Sequence, residues 1–151
     1  MAIADVMNIR LVSVAPEADL GVAVGRMLDE GVGSVAVCDD ARLVGILTER
    51  DVLRLFAHGT PLNDTRVGDV MTTDLITAPA DTDIMDVARL MGKHNVRHLP
   101  VLEGDNLLGM VGVREVVDVL AERLWRSQED DVRSTLHELL GTLRQRTAQR
   151  G

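Results

Sequence analysis

Apolar and polar positions along this chain fall into blocks that predict a short series of elements. Leu11-Val12-Ser13-Val14 reads as a brief strand, after which Asp19 opens a segment with Val22, Val24, Met27 and Leu28 at helical spacing. Gly31 predicts the end of that helix, because glycine takes the left-handed C′ conformation without a steric penalty. Ser34–Cys38 and Leu43–Leu47 are near-continuous apolar runs joined by the polar Asp39-Asp40-Ala41-Arg42, the pattern of two buried strands in a hairpin. A further helix starts at Thr48, so the unit is β-α-β-β-α.

The same series returns after 64 residues. Asp5-Val6-Met7 recurs as Asp69-Val70-Met71, and without a gap Leu11 aligns with Leu75, Asp19 with Asp83, Met27 with Met91, Gly45 with Gly109 and Arg50 with Arg114. Residues 5–56 share 12 identities over 52 positions with their counterparts. Asn95 stands where Gly31 stood, the other residue that readily becomes left-handed. Thr72 to Thr82 leads into the second copy, whose hairpin turn is Glu103-Gly104-Asp105-Asn106. One unit cannot bury both faces of its own sheet, so the copies are expected to pack on each other. The chain divides into copy one (1–57), a polar linker (58–66), copy two (67–120) and a tail (121–151) in which Val132, Leu136, Leu139, Leu140 and Leu143 predict an amphipathic helix.

Composition narrows what such a repeat can do. Apolar residues make up 46% and charged residues 26% of 151, a globular and not a disordered balance. Phe56 and Trp125 are the only aromatics, so any ligand is gripped by aliphatic walls, backbone and charge. The net charge of −8 lacks the basic footprint that nucleic acid demands. The tail carries five acids against six arginines, which puts the acidity, −9, in residues 1–121. Cys38, the one cysteine, excludes an internal disulfide and a multi-cysteine zinc site and fits a reducing compartment. Met1–Asp5 is not a basic stretch leading into an apolar one, and no apolar run reaches the roughly 18 residues of a membrane span. The expectation is a soluble, cytoplasmic protein without a membrane partner.

Gly45-Ile46-Leu47-Thr48-Glu49-Arg50-Asp51 is the segment richest in chemistry. Thr48 at N-cap and Asp51 at N3 have the spacing of a capping box, which is a complete structural role. The same geometry brings helix N–H groups, the dipole, a hydroxyl and Arg50 to where a phosphate would sit. Asp51 has the chemistry to accept hydrogen bonds from a ribose diol.

Taken with the repeat, this segment resembles the CBS domain family, and the chain to about residue 120 looks like a tandem CBS pair. Asp5-Val6-Met7 and Asp69-Val70-Met71, Val32–Val37, Asn95–Val101 and Gly45–Asp51 carry the resemblance. It implies an α/β (α+β) fold of two β-α-β-β-α repeats packed through their sheets about a pseudo-twofold axis. It also implies two clefts that bind AMP, ADP, ATP or a related adenosyl compound, an energy-sensing type of regulation of an unidentified effector protein, and a homodimer. By position, Thr48 and Asp51 match the phosphate and ribose residues, with Arg50 beside them. Ser13, with Val14 and Ala15, matches the adenine-pocket segment, as does Thr77 in copy two. Gly33, Ser34 and Val35 match the mid-copy strand wall, and Arg97 and His98 match positions that reach phosphates held at the other copy. Gly112 and Glu115 replace Thr48 and Asp51 in copy two, which keeps a helix start but loses the hydroxyl. One competent site and a weaker second one, with Thr77, Arg114 and Glu115, are therefore expected.

No catalytic constellation or nucleotide glycine loop is present in the sequence, and the chain reads as a non-enzyme. The other reading is a constitutive dimeric scaffold with vestigial clefts. His94 and His98 are four apart, but with the helix ending at Asn95 they do not share a face as zinc ligands do, so no metal is expected. Cys38 reads as a buried small residue and not a nucleophile.

Overall fold

The structure, a computed structural model, describes the backbone of residues 1–8 and 11–148 and side chains as far as residue 137. Two compact units divide the chain, Met1–Val116 and Val117–Gly151. In the first, copy one contributes β1 (Ser13–Val14), α1 (Leu20–Glu30), β2 (Ser34–Asp39), β3 (Arg42–Thr48) and α2 (Glu49–Ala57). A short α3 (Val67–Val70) leads to β4 (Ala78–Pro79), α4 (Ile84–His94), β5 (His98–Glu103), β6 (Asn106–Gly112) and the start of α5 (Val113–Ala148). The strands order as β1-β2-β3-β6-β5-β4, a sequence that reads the same from either edge by copy. β1 is two residues long where the pattern predicts four, since only Ser13 and Val14 pair with Ala36 and Val37.

Local chemistry accounts for the elements. Gly31 and Asn95 both take the left-handed C-cap, at φ 64° and 53°, so two residues solve one backbone problem. Asp83 caps α4 by accepting from the Met85 N–H at 2.9 Å, whereas Asp19 holds the equivalent position without a side-chain bond. The hairpins β2–β3 and β5–β6 carry register shifts at matching points, Val37/Cys38 and Val101/Leu102. Core residues come in pairs 64 apart: Leu20 and Ile84, Val35 and Leu99, Val37 and Val101, Leu47 and Val111 are all fully buried.

The halves meet at the centre of the sheet through one antiparallel pair, Arg42 with Asn106. A second connection is an exchange of opening segments. Asn8 of copy one bridges Met110 of copy two, and Thr72 of copy two bridges Ile46 of copy one. Ala2 likewise bridges Asp83, and Arg66 bridges Asp19. Val67 is consequently part of the copy-one core. The repeated methionines have their explanation here: Met71 lies against Gly45, and Met7 against Gly109, where any Cβ would collide with the thioether.

One difference concerns the tail. The pattern separates a last repeat helix from a tail helix, but α5 runs unbroken from Val113 to Ala148. Copy one's helix runs into His58-Gly59-Thr60-Pro61, which stops it, while no glycine or proline interrupts residues 113–140. In the second unit Leu124, Trp125, Val132 and Leu136 are exposed along this helix. The side chains of Leu139, Leu140 and Leu143 lie outside the described residues. Among the described residues no helix is long and apolar enough to cross a membrane.

Candidate functional site

Thr48 ends β3 and caps α2, and the capping box is complete. The Asp51 N–H donates to Thr48 Oγ1 at 3.3 Å, and the Thr48 N–H donates to Asp51 Oδ2 at 3.0 Å. The Thr48 hydroxyl donates to the same Oδ2 at 3.0 Å, and Thr72, from the exchanged segment of copy two, donates to it at 3.4 Å. Asp51 Oδ1 is left with Arg54 at 3.7 Å, and the carboxylate is only 14% exposed. One oxygen thus holds the local structure while the other remains the better placed to receive a ligand hydroxyl.

This carboxylate lines a cavity of about 310 Å³, within the size range of small-molecule sites. Arg50, Arg54 and Arg97 share the cavity lining with the carboxylates Glu49, Asp51 and Asp74 and with His98, and Ile46, Leu75, Ile76 and Val96 give it aliphatic wall. A second cavity, about 530 Å³, is the symmetry counterpart. Gly112, Arg114 and Glu115 of copy two face Asn8, Leu11, Val12 and Gly31–Ser34 of copy one there. Its helix start is held by a side-chain bond in which the Gly112 N–H donates to Glu115 Oε2 at 3.0 Å. Gly33, Glu49, Arg97 and His98 line both cavities. Gly33 matters there because a Cβ would lie 3.2 Å from His98 Cε1, so its bare backbone admits the ring. Burial pushes the His98 pKa below its ordinary value; Glu115 and Glu49 pull it back up, and Arg97 lowers it further.

Of the residues singled out in the sequence, Gly33, Thr48, Arg50, Asp51, Arg97 and His98 come together at the smaller cavity. Ser34, Arg114 and Glu115 line the larger one. Ser13, Val14, Ala15, Val35 and Thr77 line neither; Ser13 and Val14 are spent in β1, and Val35 is fully buried. Residues just before Ser13 and Thr77 take that place instead: Leu11 and Val12 in one cavity, Asp74, Leu75 and Ile76 in the other. Thr72, Asp74 and Asn8 had no signal in the sequence, since each reaches its cavity by the exchange of opening segments. Cys38 is partly buried and its thiol pKa is raised by that burial, the environment of an unreactive thiol. His94 closes α4 while His98 opens β5, so the two sit on different elements.

Fold and cavities together define a tandem α/β repeat module with two related clefts at its pseudo-twofold axis. The CBS domain family profile matches residues 3–58 and 67–122. The chain belongs to the CBS domain family. It is 31% identical to the CBS domain-containing protein YhcV of Bacillus subtilis over 116 residues, 76% of this chain and 82% of that protein. A putative signal-transduction protein with CBS domains from Burkholderia ambifaria superposes with a TM-score of 0.75 at 26% identity, over 80% of this chain and 93% of that one. The CBS domain pair of protein MJ0100, in complex with 5′-methylthioadenosine and S-adenosyl-L-methionine, shares the fold at a TM-score of 0.75 and 20% identity, over 82% and 98% of the two chains.

Proposed function

We propose that this chain is a regulatory module that binds an adenine nucleotide, AMP, ADP or ATP, or a related adenosyl compound, and passes its occupancy to a partner protein. The observation that carries this reading is the half-used Asp51 carboxylate at the floor of the smaller cavity, beside cations and aliphatic walls. Asp51 Oδ1 receives the ribose diol, Arg50, Arg97 and His98 meet the phosphates, and Ile46, Leu75 and Ile76 enclose the base. The adenosyl ligands of the MJ0100 pair support the ligand class. Copies one (1–57) and two (67–120) form the sensing body, and the module works as a cytoplasmic homodimer without catalysis of its own.

Transmission follows from population shift: the ligand changes partner engagement only as far as it prefers one arrangement of the two copies. A ligand at about a hundred times its Kd stabilises the folded state by about 2.7 kcal/mol, enough to read as a rise in Tm. Thermal denaturation with AMP, ADP, ATP, NADH and S-adenosylmethionine tests the proposal. Wild type gains several degrees with at least one of them, and Asp51→Ala folds but gains nothing. An equal gain in Asp51→Ala removes the site assignment; no gain with any ligand leaves the constitutive dimeric scaffold as the reading.

A further inference from the structure

Beyond the repeats, α5 carries a stricter spacing than an amphipathic helix requires. Glu129, Val132, Leu136, Leu139, Leu143 and Arg146 follow one another at intervals of three and four, which is a heptad seam. Val132 and Leu136 are 58% and 53% exposed, and backbone that is helical to Ala148 carries the rest of the series. Helices in water depend on packing of an apolar face, so this stripe calls for an occupant.

The order of charge along the seam selects that occupant. It reads acid, four aliphatics, base. Two copies of this segment laid antiparallel, with a twofold axis between residues 137 and 138, set Val132 opposite Leu143, Leu136 opposite Leu139 and Glu129 opposite Arg146, each twice. Parallel pairing sets Glu129 against Glu129 and Arg146 against Arg146, and like charges disfavour it. We propose that the tail binds the tail of a second copy as an antiparallel two-helix coiled coil. This interface is independent of the ligand clefts, so it stands or falls apart from the nucleotide reading.

Cross-linking of the full chain tests it. In a Cys38→Ser background, Val132→Cys and Leu143→Cys chains are produced together and oxidised mildly. The antiparallel seam gives the mixed disulfide, about tenfold over either like-with-like product, and each chain alone gives almost none. Like-with-like disulfides in the separate chains indicate parallel pairing and overturn the proposal. Absence of any disulfide, as when the stripe rests on its own body or on another protein, overturns it equally. Glu129→Arg or Arg146→Glu alone should cut the mixed product severalfold, and the two together should restore it; failure of the double variant to recover also counts against the seam.

Discussion

The two clefts are built by one fold from segments 64 residues apart, and they keep different parts of a shared design. At the smaller cleft, Thr48 and Asp51 close a reciprocal capping box, with Thr72 joining on the same carboxylate oxygen. At the larger, Gly112 and Glu115 preserve the carboxylate half of that box through one bond at 3.0 Å. A helix start is satisfied in both cases. Ligand chemistry differs, because the second cleft has no hydroxyl at the cap and its carboxylate is one methylene longer. The strand wall is equally unequal: Arg97 and His98 stand where copy one has Gly33 and Ser34, so copy two supplies a guanidinium and an imidazole to both cavities. Duplicated backbone roles tolerate substitution by any residue with the right local geometry, while a ligand site depends on particular atoms.

The largest effect expected on this comparison concerns what holds the two halves in register. Gly45→Ala and Gly109→Ala each place a methyl group into the methionine delivered by the other copy, with Met7 Sδ 2.7 Å from a Cβ at residue 109. Overpacking of this kind costs about 1–3 kcal/mol. Urea denaturation should show both losses, with Met71→Ala recovering part of the Gly45→Ala deficit. Unchanged stability in both variants would contradict the exchange of opening segments as a packing device.

A smaller effect separates the clefts directly. A Cβ at residue 112 lies 2.5 Å from Glu115 Oε2, so Gly112→Thr alone displaces the carboxylate that holds the helix start. Combined with Glu115→Asp, it recreates the box of copy one. The pair should be more stable than the sum of the single variants by about 0.5–3 kcal/mol, the range for residues in contact. Calorimetry should count one nucleotide site in wild type and two in the double variant; two equivalent sites in wild type would erase the asymmetry.

The smallest effect is on pH dependence. Burial lowers the His98 pKa in the folded chain, so the unfolded chain binds more protons as pH falls. The contribution is fully present above the ordinary histidine value of about 6.5 and is lost as pH falls through the folded pKa. Stability of wild type should therefore fall more steeply below neutral pH than that of His98→Gln, and coincident profiles would show that the ring is not held neutral by burial.

Much of the fold was legible in the sequence for local reasons. Left-handed caps at Gly31 and Asn95, the hairpin turns and the Thr48–Asp51 box each depend on residues a few positions apart, and periodicity reports them. The ungapped repeat then joined these elements into two copies. Less of the site was legible. Asp51 and its cap were readable, but Thr72 was not, because nothing local says that a segment 21 residues downstream returns to that carboxylate. Ser13 and Thr77 match a pocket segment by position, yet the cavities are lined by the residues immediately before them. The run of α5 through the end of the repeat was readable in principle, since no glycine or proline stands between Val113 and Leu140.

By itself the sequence determined the duplication, the elements of each copy, the family and the residues that start each helix, all properties of short-range spacing. Only the tertiary structure decided which copy completes which cleft. Asn8 pairs with Met110 and Thr72 with Ile46, contacts that arise when two half-sheets bury their faces and exchange their opening segments to cover the remaining strands. Pairing across such distances is selected by the burial of the whole unit, Ile3 and Val67 included, and leaves no periodic trace along the chain.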